Sequence, residues 1–149
     1  TPQLALHAQV VQFGWSKFDD ITLGAPLNEA MPEDYRDTTS VAVGLDYAVN
    51  RQWTVRAGVQ TDPTPTRDDH RDARVPDSDR VDYAIGTSWQ VTPTFALDAA
   101  YTYVAFDKSR LNYTTAAYYG TAAQTNMVIN GAMDDAKANV LIIGGRLSF

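Results

Sequence analysis

Two histidines, one short run of mixed charge and a scatter of arginines are the residues here whose types suit chemistry. His7 and His70 lie 63 positions apart and lack any local metal-ligand spacing. The run Asp68-Asp69-His70-Arg71-Asp72 offers oxygen ligands of the kind a hard divalent cation takes. Its mixed charge reads first as a solvated loop. The chain has no cysteine, so a thiol nucleophile, a disulfide scaffold and a cysteine-ligated metal are excluded. Neither a Gly-x-Ser-x-Gly elbow nor a phosphate-binding or dinucleotide fingerprint occurs. Nothing suggests a nucleophile with an oriented base. The reading is therefore of a protein that is not an enzyme and uses no metal and no cofactor. What remains is arginine chemistry: Arg36, Arg56, Arg80 and Arg146 carry the fork that suits a carboxylate.

The length of 149 residues suits one domain with a sizeable core. Hydrophobic residues make up 44% and charged residues 20%, which argues against disorder. Lys plus Arg total 12 against 18 for Asp plus Glu, so the net charge of −6 disfavours a nucleic-acid partner. No apolar run approaches the ~18 residues of a transmembrane helix. The opening TPQLALHAQV lacks a basic n-region and a long apolar h-region, so any signal peptide is expected to be gone already. A mean hydropathy of −0.30 suits a soluble protein, but transmembrane strands alternate in polarity and average to the same value.

Alternation is the pattern that positions the arginines. Period two runs through 38–47, 53–61, 81–89, 95–103 and 141–149, as in Val41, Val43, Leu45 and Tyr47 against Ser40, Ala42, Gly44 and Asp46. A sixth strand near 4–17 changes phase between Leu6-Ala8-Val10 and Val11-Phe13-Trp15, which predicts a bulge. Short links, 48–52 and 90–94, alternate with long polar ones at 19–37, 62–78 and 109–135. In an antiparallel meander, every second loop lies on the same edge, so one edge is trimmed and the other elaborated. Outer-membrane barrels have this asymmetry.

The aromatics sort to the strand ends. Tyr47, Trp53, Trp89, Phe95 and Phe149 fall at the short-link ends, and Trp15, Tyr83, Tyr101 and Tyr103 near the long-loop ends. Two aromatic rows separated by small and aliphatic residues form the girdles of a lipid-facing surface. If those faces point out, Arg56, Arg146, Asp46, Asp82 and Asp98 project into a lumen. Ion pairs filling that lumen are the preferred reading, ahead of direct ligand contact.

The stretch from Arg56-Ala57-Gly58 through Pro63 and Pro65 to Pro76-Asp77-Ser78-Asp79-Arg80 and Gly86 resembles the C-terminal part of the FadL family, which transports long-chain fatty acids and other hydrophobic compounds across the outer membrane. Glu33-Asp34-Tyr35-Arg36, Trp15 to Phe18 and the closing Gly-Gly-Arg-Leu-Ser-Phe are similar too. The resemblance implies an antiparallel transmembrane β-barrel of about fourteen strands, plugged by an N-terminal hatch. Six strands are too few to close a barrel, since unpaired edges in hydrocarbon cost several kcal/mol per group. The smallest single-chain barrels have ~8 strands. Residues 1–149 are therefore read as a C-terminal portion, with the hatch and the earlier strands of the same barrel as its partner. The terminal Phe149 resembles the signal read by the outer-membrane assembly machinery.

The resulting expectation is a passive channel in the bacterial outer membrane for fatty acids or neutral hydrocarbons, in contact with lipid. The alternative is a soluble β-barrel or sandwich that binds a ligand or acts as a scaffold. Pro76, Asp77, Asp79 and Arg80 are expected to tie down the second long loop. Apolar cargo would meet Leu27, Met31 and Phe106, with Val104, Leu111, Met127, Val128 and Ile129 near the last loop.

Overall fold

A computed structural model describes residues 2–18, 20–24, 29–68, 71, 77–118 and 121–149. Six long strands form one antiparallel sheet: β1 (Leu4–Phe13), β4 (Thr38–Ala48), β5 (Trp53–Asp62), β6 (Arg80–Thr92), β7 (Phe95–Phe106) and β10 (Lys137–Leu147), in the order β1-β4-β5-β6-β7-β10. Two hairpins stand in the long loops. β2 (Asp20–Leu23) pairs with β3 (Glu29–Pro32), and β8 (Ser109–Ala117) with β9 (Thr125–Met133).

The short links are made by side chains that replace backbone partners. Asn50 Oδ1 accepts the N–H groups of Gln52 and Trp53 at 2.8 and 2.9 Å. Thr92 Oγ1 does the same for Phe95 at 3.0 Å.

Burial is inverted relative to a water-soluble protein. Among the described residues the buried set is polar, including Thr38, Ser40, Ser88 and Ser109, and Ala96 is its only apolar member. Large apolar side chains stand outside instead: Leu6 is 74% exposed, Ile85 62% and Ile143 75%. Register places these outward residues in continuous rows, such as Leu45–Ala57–Ile85–Tyr101–Leu141. An apolar surface of this extent has hydrocarbon as its natural solvent. At the short-link end Trp53 and Trp89 stack with centroids 5.4 Å apart, and at the other end Tyr83 lies opposite Tyr103. Tyr47, Phe95 and Tyr101 share this outward phase, and Tyr101 Oη donates to Asn139 Oδ1 at 2.6 Å.

Three expectations are corrected. β1 has no bulge: its register runs unbroken from Leu4↔Tyr47 to Phe13↔Thr38, and the irregularity falls between Gln90 and Thr92. Its phase change arises because Val11 and Phe13 are apolar on the inner face, where Phe13 walls a cavity. Trp15 is not a girdle residue. It sits in a 3-10 turn (Trp15–Lys17) against Phe13 and Tyr35, on the inner side. The last strand begins at Lys137, because β7 offers partners as far as Ala105, and ends before Phe149.

Candidate functional site

The inner wall carries two tiers of polar chemistry. The tier nearer the short links takes one residue from each of the six strands. His7 Nε2 lies 3.6 Å from Asp46 Oδ1, and Arg56 Nε donates to Asp46 Oδ2 at 3.2 Å. Arg56 Nη1 donates to Ser88 Oγ at 2.6 Å, and the Ser88 hydroxyl donates to Asp98. Arg146 Nη2 closes the row 3.8 Å from Asp98 Oδ1. The result is a collar of alternating charge across the whole sheet. Partly exposed pairs of this kind contribute ~0–1 kcal/mol each, so the collar acts more on register than on total stability.

The second tier lies at the long-loop end. Asp62 stands six residues from Arg56 along β5, about 20 Å away at ~3.3 Å per residue. Arg80 is held between Asp62 and Asp77. Asp77 Oδ2 accepts from Thr64 Oγ1 at 2.7 Å, and Asp79 Oδ1 accepts the Thr64 N–H at 2.8 Å. Arg36 Nε donates to the Thr64 carbonyl at 3.1 Å, and its Nη2 lies 3.7 Å from Asp79. The Asp107 N–H donates to the Asp79 carbonyl at 2.7 Å, bringing the third loop to the second. Across the first loop, the Ser16 N–H donates to Asp37 Oδ1 at 2.8 Å. Hydrogen bonds from Ser16, aided by the charge of Lys17, hold the Asp37 carboxyl below its ordinary 3.8.

Two cavities share the wall residue Thr66. One, of about 290 Å³, is walled by Phe13, Trp15, Tyr35, Pro63 and Pro65, with Asp62, Asp77 and Arg80 as its polar members. The other, of about 520 Å³, is polar and lined by Arg36, Arg67, Arg71 and Lys108 together with Asp68, Asp79 and Asp107. Each of those four cations already faces an acceptor: Asp79, Asp34, Asp68 and Asp134 respectively.

Comparison with known proteins decides what these tiers belong to. The family model described as outer membrane protein transport protein (OMPP1/FadL/TodX) matches residues 1–149. The chain belongs to this family. It is similar to outer membrane protein P1 of Haemophilus influenzae, 30% identical over 142 residues, covering 85% of this chain and 31% of that protein. The long-chain fatty acid transport protein of Escherichia coli O6:H1 is 26% identical over 106 residues, covering 69% of this chain and 24% of that protein. The crystal structure of a Pseudomonas aeruginosa FadL homologue superposes with a TM-score of 0.81 at 32% identity, covering 99% of this chain and 33% of that one. The chain thus spans roughly a quarter to a third of its relatives, as an arc of an outer-membrane β-barrel. Its apolar outer face and the family place it in the outer membrane.

Within the FadL-type arc, the four candidate arginines separate by tier. Arg56 and Arg146 belong to the collar, Arg80 to the aromatic cavity and Arg36 to the polar one. Phe106 lies opposite Arg80 in register and lines neither cavity. Pro76, Leu27 and the side chain of Met31 lie outside the described residues. So do Asp69, His70 and Asp72 of the mixed-charge run; in its remainder Asp68 is exposed, while Arg71 is only 4% exposed and donates to the Asp77 carbonyl at 2.7 Å. The loop apolar group divides too, since Leu111, Met127 and Ile129 share one face of the β8–β9 hairpin and Val128 takes the other. His7, Ser88, Thr64 and Tyr35 were missed. The inward phase of Ser88 was visible, the phase change expected in the first strand hid that of His7, Tyr35 was marked only as part of the Glu33-Asp34-Tyr35-Arg36 resemblance, and nothing in the sequence marks Thr64.

Proposed function

We propose that the complete protein carries hydrophobic small molecules passively across the outer membrane, with this chain as one arc of a closed barrel and the aromatic cavity as a station for an uncharged part of the cargo. The observation that carries this reading is the setting of Arg80. Five apolar or aromatic residues wall a space of about 290 Å³, and the Arg80 guanidinium in its lining is flanked by two carboxylates. Those two carboxylates already occupy the guanidinium and leave it little attraction for a third. The fatty-acid transport named for the Escherichia coli relative suggests a second reading, with a carboxylate head in the neighbouring polar cavity, where four cationic side chains gather.

The test compares binding of a long-chain fatty acid and its methyl ester to the full-length protein. Equal binding is expected. Strong preference for the acid, lost in Arg36→Ala, refutes the uncharged-cargo reading and supports the second.

A further inference from the structure

The links of the collar follow a rule. Asp46 and Arg56 are directly opposed in register, as are Ser88 and Asp98. The other links are diagonal, two residues off register, and each crosses beside a glycine. Gly86 is the residue directly opposite Arg56, Gly144 the one opposite Asp98 and Gly44 the one opposite His7. A Cβ at Gly144 would meet nothing within 4 Å, so the space beside the Asp98–Arg146 link is open. Direct and diagonal links alternate along the row, and so do the charges: Asp46, Arg56, Asp98, Arg146. The row then stops on β10, at an edge with no partner among the described residues. Arg146 is the weakest-paired of the collar's permanent charges, with its side chain 60% exposed and one long ion pair of 3.8 Å.

We propose that the strand pairing with the free edge of β10 carries a carboxylate directly opposite Arg146, so that the collar continues around the lumen. This rests on the closed-barrel reading above. An edge in hydrocarbon must be paired, and the relatives, three to four times longer, contain further chain to pair with it. After a diagonal link the next one is direct, which puts the partner's Cβ ~4.5–5.5 Å from that of Arg146. After a cation the next group is an anion, and a guanidinium is charged at any working pH and presents a fork that a carboxylate fills.

The experiment uses the full-length protein in membranes. Ile143→Cys, on the lipid face and away from the collar, is paired with cysteines scanned along the candidate neighbouring strand; disulfide formation identifies the register without touching Arg146. The residue then found opposite Arg146 is expected to be Asp or Glu. Arg146→Asp is expected to lower the folding equilibrium constant about tenfold, with recovery when the opposed carboxylate is changed to Arg in the same chain. Should Arg146→Asp fail to fold, Gln at each position and at both completes the same cycle. Cross-links that place an uncharged residue opposite Arg146, or a cycle without coupling, overturn the collar and leave the barrel standing. Absence of any cross-link overturns the closed barrel, and the collar's continuation with it.

Discussion

Ile85→Arg tests the assignment of faces most directly. Ile85 lies on β6 midway between Val81 and Trp89, with Ala57 and Tyr101 beside it in register, and it is 62% exposed. Four residues separate it from Trp89, which is about 13 Å along the strand at ~3.3 Å per residue. With the ~40° tilt of such strands, that is about 10 Å along the membrane normal, which puts Ile85 near the midplane. A cation on the lipid face at that depth costs ~2–4 kcal/mol, a fall in the folding constant of roughly 30- to 1000-fold. The control is Ala100→Arg. Ala100 is opposite Gly86 and Ile142 on the inner face, where a guanidinium meets a polar lumen and the cost is expected to be a small fraction of the Ile85 value. The assay is denaturant titration of the full-length protein refolded into lipid vesicles, read by tryptophan fluorescence. Equal costs at the two positions, or a larger one at Ala100, would show that the exposed apolar rows do not face lipid.

Two further outcomes concern the loop end. The Asp37 carboxyl is depressed in the folded state, so its bond to Ser16 is fully present above pH ~3.8 and is lost as pH falls through the lower folded value; Trp15 fluorescence should change below that pH in the parent protein and lose the transition in Asp37→Asn. Tyr35→Ala removes the ring that contacts both Trp15 and Phe18; methyl-ester binding should weaken about tenfold, and unchanged affinity would remove the cavity from the cargo's path.

How much of this was legible follows from what each solvent writes into a strand. β4, β5, β6, β7 and β10 separate hydrocarbon from a polar lumen, so Val43 alternates with Gly44 and Ile85 with Gly86, and period two stands out. β8 and β9 lack that contrast. Met127 and Val128 are both exposed although they point to opposite faces, so the hairpin wrote no alternation and was read as loop. Trp15 misled for a related reason: it lies in a turn, where phase says nothing about side.

The collar was half legible. Asp46, Arg56, Asp98 and Arg146 declare themselves as inward by phase alone, but the links through Ser88 and His7 depend on register, which a sequence of separate strands does not specify. Arg80 makes the same point at the other tier. In sequence it is a cation beside Asp79 and two residues from Ser78, a reasonable receiver for an acidic cargo. In the fold, β5 brings Asp62 against it while the preceding loop supplies Asp77, so the guanidinium is already paired twice. The chemistry on offer at that cavity is thus shaped by a residue 18 positions away, which bears on the choice between fatty acids and neutral hydrocarbons that the sequence left open.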